Sequence, residues 1–296
     1  MDTGSIVRSD GVGAHQADPE RDFPWLVREE PGSEWLQLGL SIVPEKMTAL
    51  YEALGATARA LLGGPVTNFF FMHKQPGMRI RFEITTPETR ESVRQAVERW
   101  RTDGLVTSIL PGVYEPEYPL FGGPTSMEHV HRLFTVDSLA WLDHHASQAD
   151  RSNRSAPVNL SLAMLRGLFD DLDIIGWESR DVWDRLRRVA NRRFTGTQLS
   201  QSRFAEASRP VRRAWSARDD LLAALTPRDR STLDAFREVA SVEVRRWRTR
   251  YFNTQQASVG PREAAAYLTI FHWNRARIST VRQTLIAEAL ATEDTP

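Results

Sequence analysis

The spacing of apolar positions changes near residue 120. Before it, runs that alternate every second residue are interleaved with runs that repeat every 3.6. SEWLQLGLSIV (33–43) predicts a strand, and PEKMTALYEALGATARALL (44–62) an amphipathic helix introduced by Pro44. VTNFFFMHK (66–74), the turn Gln75-Pro76-Gly77 and MRIRFEI (78–84) predict a hairpin. A second helix starts at Thr86-Pro87-Glu88, with Thr86 as its cap, and runs through Trp100; Asp103-Gly104 ends it before LVTSILPGVYE. The order strand, helix, strand, strand, helix, strand is the split βαβ, ferredoxin-like arrangement. It is a four-stranded antiparallel sheet with both helices on one face, so the other face needs a cover.

From Ser126 onward the pattern is helical throughout. Helices are predicted over 126–147, 157–173, 178–192, 206–224, 227–252 and 261–289, parted by polar loops at Gln148–Pro157, Phe194–Gly196 and Asn253–Gly260. The expected fold class is α+β, a ferredoxin-like sheet packed against a helical C-terminal half. The expected divisions are a mobile N-terminal arm (1–30), the sheet part (31–123) and a helical part (124–296) packed with the sheet as one unit.

Length and composition narrow the chemistry. A chain of 296 residues buries a sizeable core, and the absence of Cys excludes disulfides, thiolate metal sites and Cys nucleophiles. The N-terminus lacks a basic segment followed by an apolar run, and no apolar stretch is long enough to span a bilayer, so a cytoplasmic protein with no membrane partner is expected. Net charge is zero, yet all basic residues except Lys46 and Lys74 are arginine.

Common catalytic signatures are absent: no Walker loop, no Rossmann glycine fingerprint, no HExxH and no GxSxG. His129-x-His131 and His144-His145 are spaced one or two residues apart on one helix, which puts them on different faces, so no metal is expected. Two arginine-rich stretches, 185–193 and 242–252, read first as solvated helix faces balanced by acids, with no nucleic-acid partner expected.

The segment YEPEYPLFGGPTSMEHVHRLFTVDS (114–138), together with GMRIRF (77–82) and YLTIFHWNRARI (267–278), resembles the C-terminal elimination domain of lantibiotic dehydratases and its stand-alone, thiopeptide-type relatives. The resemblance covers roughly 34–285, nearly the whole chain. In that family, expulsion of glutamate from glutamylated Ser or Thr of a ribosomal peptide leaves dehydroalanine or dehydrobutyrine. The resemblance implies three working groups: an Arg of the strand motif (Arg79 or Arg81), an Arg before the aromatic-Gly-Gly turn, and a His of the last motif (His272). Here the second position is Leu120, and one residue rather than two separates His272 from Asn274. Leucine cannot replace a charge-assisted donor to a leaving carboxylate. The resemblance is therefore nearest to the pyridine synthases, which join two dehydroalanines of one azole-containing peptide in a formal aza-[4+2] cycloaddition and aromatise the ring by loss of water and leader peptide. A glutamate eliminase working with a separate partner, with Arg132 standing in at Leu120, and a non-catalytic leader-binding subunit stay open.

That reaction wants a donor to one amide carbonyl, an acceptor for its N–H, and above all orientation. No cofactor is implied. The expected catalytic residues are His272, Tyr251, Ser258 and Glu117; the expected substrate contacts are Arg79, Arg81, Tyr118, Phe121, Trp273, Asn274 and Arg275. Against these stand plain structural roles: a core histidine and tryptophan, a loop that only joins two helices, and arginines paired with Glu115 or Glu117. The expected partners are a leader-bearing precursor peptide, other modification enzymes of its pathway and, left open, a second copy of the chain. An acidic leader would suit an arginine-lined groove at 185–193 or 242–250.

Overall fold

The computed structural model describes residues 34–147, 156–194 and 200–292. The expected arm at 1–30 and most of the 148–157 loop lie outside the described residues, and the described residues gather as one compact unit.

The first part is β1 (Glu34–Ile42), α1 (Met47–Leu61), β2 (Val66–Lys74), β3 (Gly77–Ile84), α2 (Pro87–Thr102) and β4 (Val106–Gly112). The four strands form one sheet in the order β2-β3-β1-β4, with every pairing antiparallel, as the split βαβ reading requires. Local chemistry sets the boundaries: Pro44 opens a 3-10 turn ahead of α1, and the Thr86 side chain accepts the N–H of Thr89 at the start of α2. On one sheet face Leu36, Leu38, Ile80, Phe82, Phe69 and Phe71 are buried, and the ring contact of Tyr51 with Phe71 sets α1 there.

The C-terminal half is helical: α3 (Pro124–Ala146), α4 (Ala156–Asp171), α5 (Trp177–Val189), α6 (Gln201–Ser216), α7 (Arg218–Ala223), α8 (Pro227–Trp247), α9 (Pro261–Arg275) and α10 (Thr280–Ala291). Among the described residues no helix is long and apolar enough to cross a membrane.

Two predicted helices are broken. The stretch expected at 206–224 starts earlier, where Ser200 caps α6, and breaks at Ala217; Asp219 and Asp220 then open α7, an N-terminus favoured by acidic side chains. The stretch expected at 261–289 ends at Arg275. Arg277 takes the left-handed conformation (φ 54°), and Ile278 N–H returns to Trp273 O at 3.2 Å, a Schellman closure made without the usual glycine. Lacking that glycine, the sequence carried no stop signal.

The joint between the halves is an edge-strand seal. β2 is an edge of the sheet, and its outward N–H groups would stand open. Phe69 N–H donates to Thr135 Oγ1 (3.0 Å), Phe71 N–H to Ser138 Oγ (3.3 Å) and His73 N–H to Asn274 Oδ1 (2.8 Å), while Asn274 Nδ2 returns to His73 O (2.9 Å). α3 therefore runs along the strand, and Asn274 at the end of α9 continues the ladder.

Candidate active site

Strand alternation puts Gln37, Phe70 and Arg81 on the sheet face opposite Phe71. Gln37 pairs with Arg81 across β1 and β3, and Phe70 with Arg81 across β2 and β3. Arg81 is buried; its Nε donates to Gln37 Oε1 (2.7 Å), and Gln37 Nε2 donates to Val113 O (2.9 Å). Its guanidinium lies 4.9 Å from the Phe70 ring and 4.6 Å from that of Tyr114, and Nη1 has no hydrogen-bond partner among the described residues. Burial lowers the Arg81 pKa, while Tyr114 and Glu117 oppose that shift. The half-expected pairing with an acid is thus long-range: the direct partner is neutral Gln37.

Above Arg81 the chain leaving β4 builds a polar chain. Tyr114 Oη lies 3.1 Å from Glu117 Oε2 and 2.9 Å from His131 Nε2. A carboxylate only accepts, so the phenol donates to Glu117 and its oxygen takes the His131 Nε2–H. Burial, reinforced by Glu117, raises the Tyr114 pKa well above the ordinary phenol range. His131 is pushed down to about 4, chiefly by burial, with Glu83 opposing and Arg81 adding to the shift, so it is neutral near pH 7.

His131 also faces open space. Pro124, Met127, Glu128, His131 and Arg132 recur at i, i+3, i+4, i+7 and i+8 on α3, one helix face, and line a cavity of about 730 Å³ together with Trp35, Asn68, Glu83 and Tyr118. Glu83 is held by Thr67 Oγ1 and Asn68 Nδ2, both at 2.6 Å, and Arg132 Nη1 reaches Glu243 at 3.0 Å. The site is therefore a roomy pocket walled by one neutral imidazole, one phenol, one guanidinium and two carboxylates.

The family model for the C-terminal part of lantibiotic biosynthesis dehydratases matches residues 35–293. The chain belongs to this family. Eleven chains of solved structure match it, among them the crystal structure of the tRNA-dependent lantibiotic dehydratase MibB from Microbispora sp. 107891, with a TM-score of 0.65 at 17% identity. The match covers 90% of this chain and 28% of that one, so the likeness is one of fold over little more than a quarter of the larger enzyme. No curated protein matches the chain.

In this lantibiotic dehydratase C-terminal family member, His272 is sealed in the core. Its Nδ1 meets Asp137 Oδ1 (2.7 Å) and its Nε2 meets Ser161 Oγ (2.9 Å); Arg275 Nε donates to Asp137 Oδ2 (2.5 Å). His272, Asp137, Ser161 and Arg275 are all buried. Burial pushes the Asp137 carboxyl up, but His272 and Arg275 outweigh it and hold the pKa below the ordinary range. Arg275 lies 4.5 Å over Phe134, and its Nη1 has no partner among the described residues.

Tyr251 and Ser258 meet beneath the glycine turn. Tyr251 Oη accepts the N–H groups of Ser258 and Val259, each at 3.0 Å, and so pins the loop after α8. A Cβ on Gly122 (φ 83°) would stand 1.7 Å from that oxygen, which is why glycine occupies the turn. Phe121 is fully buried against Phe134, Tyr267 and Phe271, Trp273 stacks on Trp183, and Asn274 is spent on β2. Arg79 is half-buried opposite Gly39 and Met72. Of the residues singled out from sequence, Tyr118 and Arg132 line the cavity and Glu117 ends the polar chain that reaches it. The histidines at 129, 131, 144 and 145 meet Glu243, Tyr114, Asp229 and the Arg275 carbonyl respectively. Sequence reading weighed His131 only as half of a metal pair; the signal for its role was the helical face shared with Pro124, Met127 and Glu128.

Proposed function

We propose that this chain is a pyridine synthase of thiopeptide type. It takes a leader-bearing, azole-containing peptide with two dehydroalanines, performs a formal aza-[4+2] cycloaddition, and releases water and the leader. The observation that carries this reading over glutamate elimination is Leu120, an uncharged, half-buried side chain where the eliminase pattern calls for arginine. Loss of one charge-assisted donor at a leaving carboxylate costs about 2–4 kcal/mol of transition-state stabilisation. The sealing of His272 on both ring nitrogens supports the same reading, since it is not offered to a substrate as a base.

In the proposed reaction one dehydroalanine, with the carbonyl preceding it, enters as its imidic-acid tautomer, the 2-azadiene. Its methylene carbon bonds to the methylene of the second dehydroalanine, and its carbonyl carbon to the α-carbon of that residue. Neutral His131 receives the amide N–H proton, with Tyr114 and Glu117 stabilising the charge that develops; Tyr118 or Arg132 donates to the carbonyl oxygen. Water then leaves from the former carbonyl carbon, and the leader leaves as its amide from the second α-carbon, giving the aromatic ring. Orientation is the larger contribution: holding two distant segments of one peptide together is worth several kcal/mol, on the order of the entropy of joining two free reactants.

Elimination with a separate glutamyl-transferring partner is the second reading, favoured by the buried cation Arg81 and by Arg132 on the cavity wall. The test is incubation of the purified protein with a leader-bearing, azole-containing peptide carrying two dehydroalanines, followed by mass spectrometry. Release of the leader as a C-terminal amide, with a core lighter by leader and water, is expected; an unchanged peptide overturns the proposal.

A further inference from the structure

The two arginine-rich stretches behave differently in the fold. Within α5 the arginines of the first stretch are neutralised: Arg185 pairs with Asp181, Arg187 with Asp184 and Glu288, and Arg188 with Asp184, while Arg192, past the helix end, donates to the neutral Gln283 side chain and the Ala190 carbonyl. In the second stretch Arg248 pairs with Asp173, but the other arginines are less well neutralised. Arg245 and Arg250 are exposed and make no hydrogen bond or ion pair through their side chains among the described residues, and Arg246 has only Glu243, at 3.4 Å. With Val242 and Thr249 these three arginines line a surface groove of about 280 Å³, and exposed Val239 and Val242 extend it as an apolar strip. In a chain of zero net charge, a patch of three exposed arginines, two of them unpaired among the described residues, is a local feature and not the spill-over of a basic protein.

The groove also communicates with the cavity. Glu243, nearly buried, takes Arg246 from the groove side and Arg132 from the cavity wall, with His129 at 2.5 Å on the same carboxylate. The last turn of α8 passes into a π-helical turn, Arg248–Phe252, which carries Arg250 into the groove and Tyr251 under the glycine turn.

We propose that this groove binds an acidic, amphipathic helical segment of the peptide substrate and so delivers the adjoining residues to the cavity. The proposal rests on the reading of the substrate as a peptide. Guanidinium groups set beside exposed valines fit carboxylates alternating with apolar side chains on one helix face, whereas a nucleic-acid backbone has no use for the valines. Glu238 and Asp234, exposed nearer the N-terminal half of α8, limit the acidic contact to the C-terminal half of the helix.

The probe is a fluorescein-labelled peptide of about 20 residues built from Glu, Ala and Leu so that one helix face is apolar and the flanks are acidic, titrated by anisotropy. Wild-type protein is expected to bind it with an affinity that falls as salt rises, and Arg245→Glu with Arg250→Glu to weaken binding roughly tenfold or more. Arg188→Glu, a reversal on the neutralised helix, is expected to leave binding within about twofold. Circular dichroism confirms that each variant is folded. Equal binding by the Arg245/Arg250 variant, no binding by the wild type, or preference for a single-stranded RNA of similar length overturns the inference. If the acidic peptide binds as expected while no dehydrated peptide is converted, the pyridine synthase reading fails and the groove stands; if conversion proceeds at the same KM in the Arg245/Arg250 variant, the groove fails and the enzyme reading stands.

Discussion

The Asp137 carboxylate holds two buried partners in the helical half, and Asp137→Asn isolates its charge. Asp137 is 5% exposed and holds two partners, His272 on one oxygen and Arg275 on the other. The amide keeps the shape but leaves the guanidinium of Arg275, 1% exposed, without its counter-charge. Breaking a buried pair in this way costs about 3–5 kcal/mol, because an uncompensated charge is left inside. At about 2–3 °C per kcal/mol for a chain of this size, the thermal midpoint should fall by about 6–15 °C. The pair itself contributes far less than that figure. Asp137→Asn with Arg275→Met removes both charges, and the double variant should recover at least half of the loss. Thermal unfolding followed by circular dichroism, run as a full double-mutant cycle, measures this directly. A single variant within 1 kcal/mol of wild type would mean that Arg275 finds another acceptor, and a double variant no more stable than the single would mean that the lost counter-charge is not what destabilises Asp137→Asn.

Three further outcomes follow from the geometry. Gly122→Ala should lose about 2–4 kcal/mol in a urea titration, since it needs a left-handed alanine and meets the Tyr251 hydroxyl; a loss under 1 kcal/mol would show that the turn relaxes freely. Asn274→Leu uncovers the end of β2 and should cost about 1–3 kcal/mol while raising light scattering on warming, and a variant as stable and as monodisperse as wild type would discount the edge seal. Stability should decline with acid well before the carboxylates protonate. Burial pushes His73 and His145 down to about 3 and His131 to about 4, so between these values and about 6.5 the unfolded chain takes up protons that the folded one does not, and stability falls as pH falls through that window, by up to about 1.4 kcal/mol per pH unit for each histidine. Urea midpoints from pH 7.5 down to 5 test this, and a flat profile would contradict it.

The sheet was legible because each of its signals is local. A period of two, Pro44, the Thr86 cap and the turn at Gln75-Pro76-Gly77 fix the elements, and only one common topology accepts that order. The helix breaks at Ala217 and Arg277 were not, because neither carries a glycine or proline to announce it. The site divides in the same way. Tyr118 and Glu117 could be chosen for their place beside the glycine turn, whereas His131 gains its meaning from Tyr114, Trp35 and the cavity, which only the packed sheet brings to it. Asn274 and His272 stand out in sequence, yet the fold commits one to the backbone of β2 and the other to Asp137 and Ser161.

Ring formation and elimination are separated by a competition assay. The purified protein would be offered, in one vessel, two leader-bearing azole peptides of distinguishable mass, one with two dehydroalanines and one with glutamylated serines. Conversion of the first to a pyridine-containing core with release of the leader amide, while the second keeps its glutamates, is the predicted result. Loss of glutamate from the second, with the first unchanged, would rule out the pyridine synthase and make Leu120 a tolerated replacement in an eliminase.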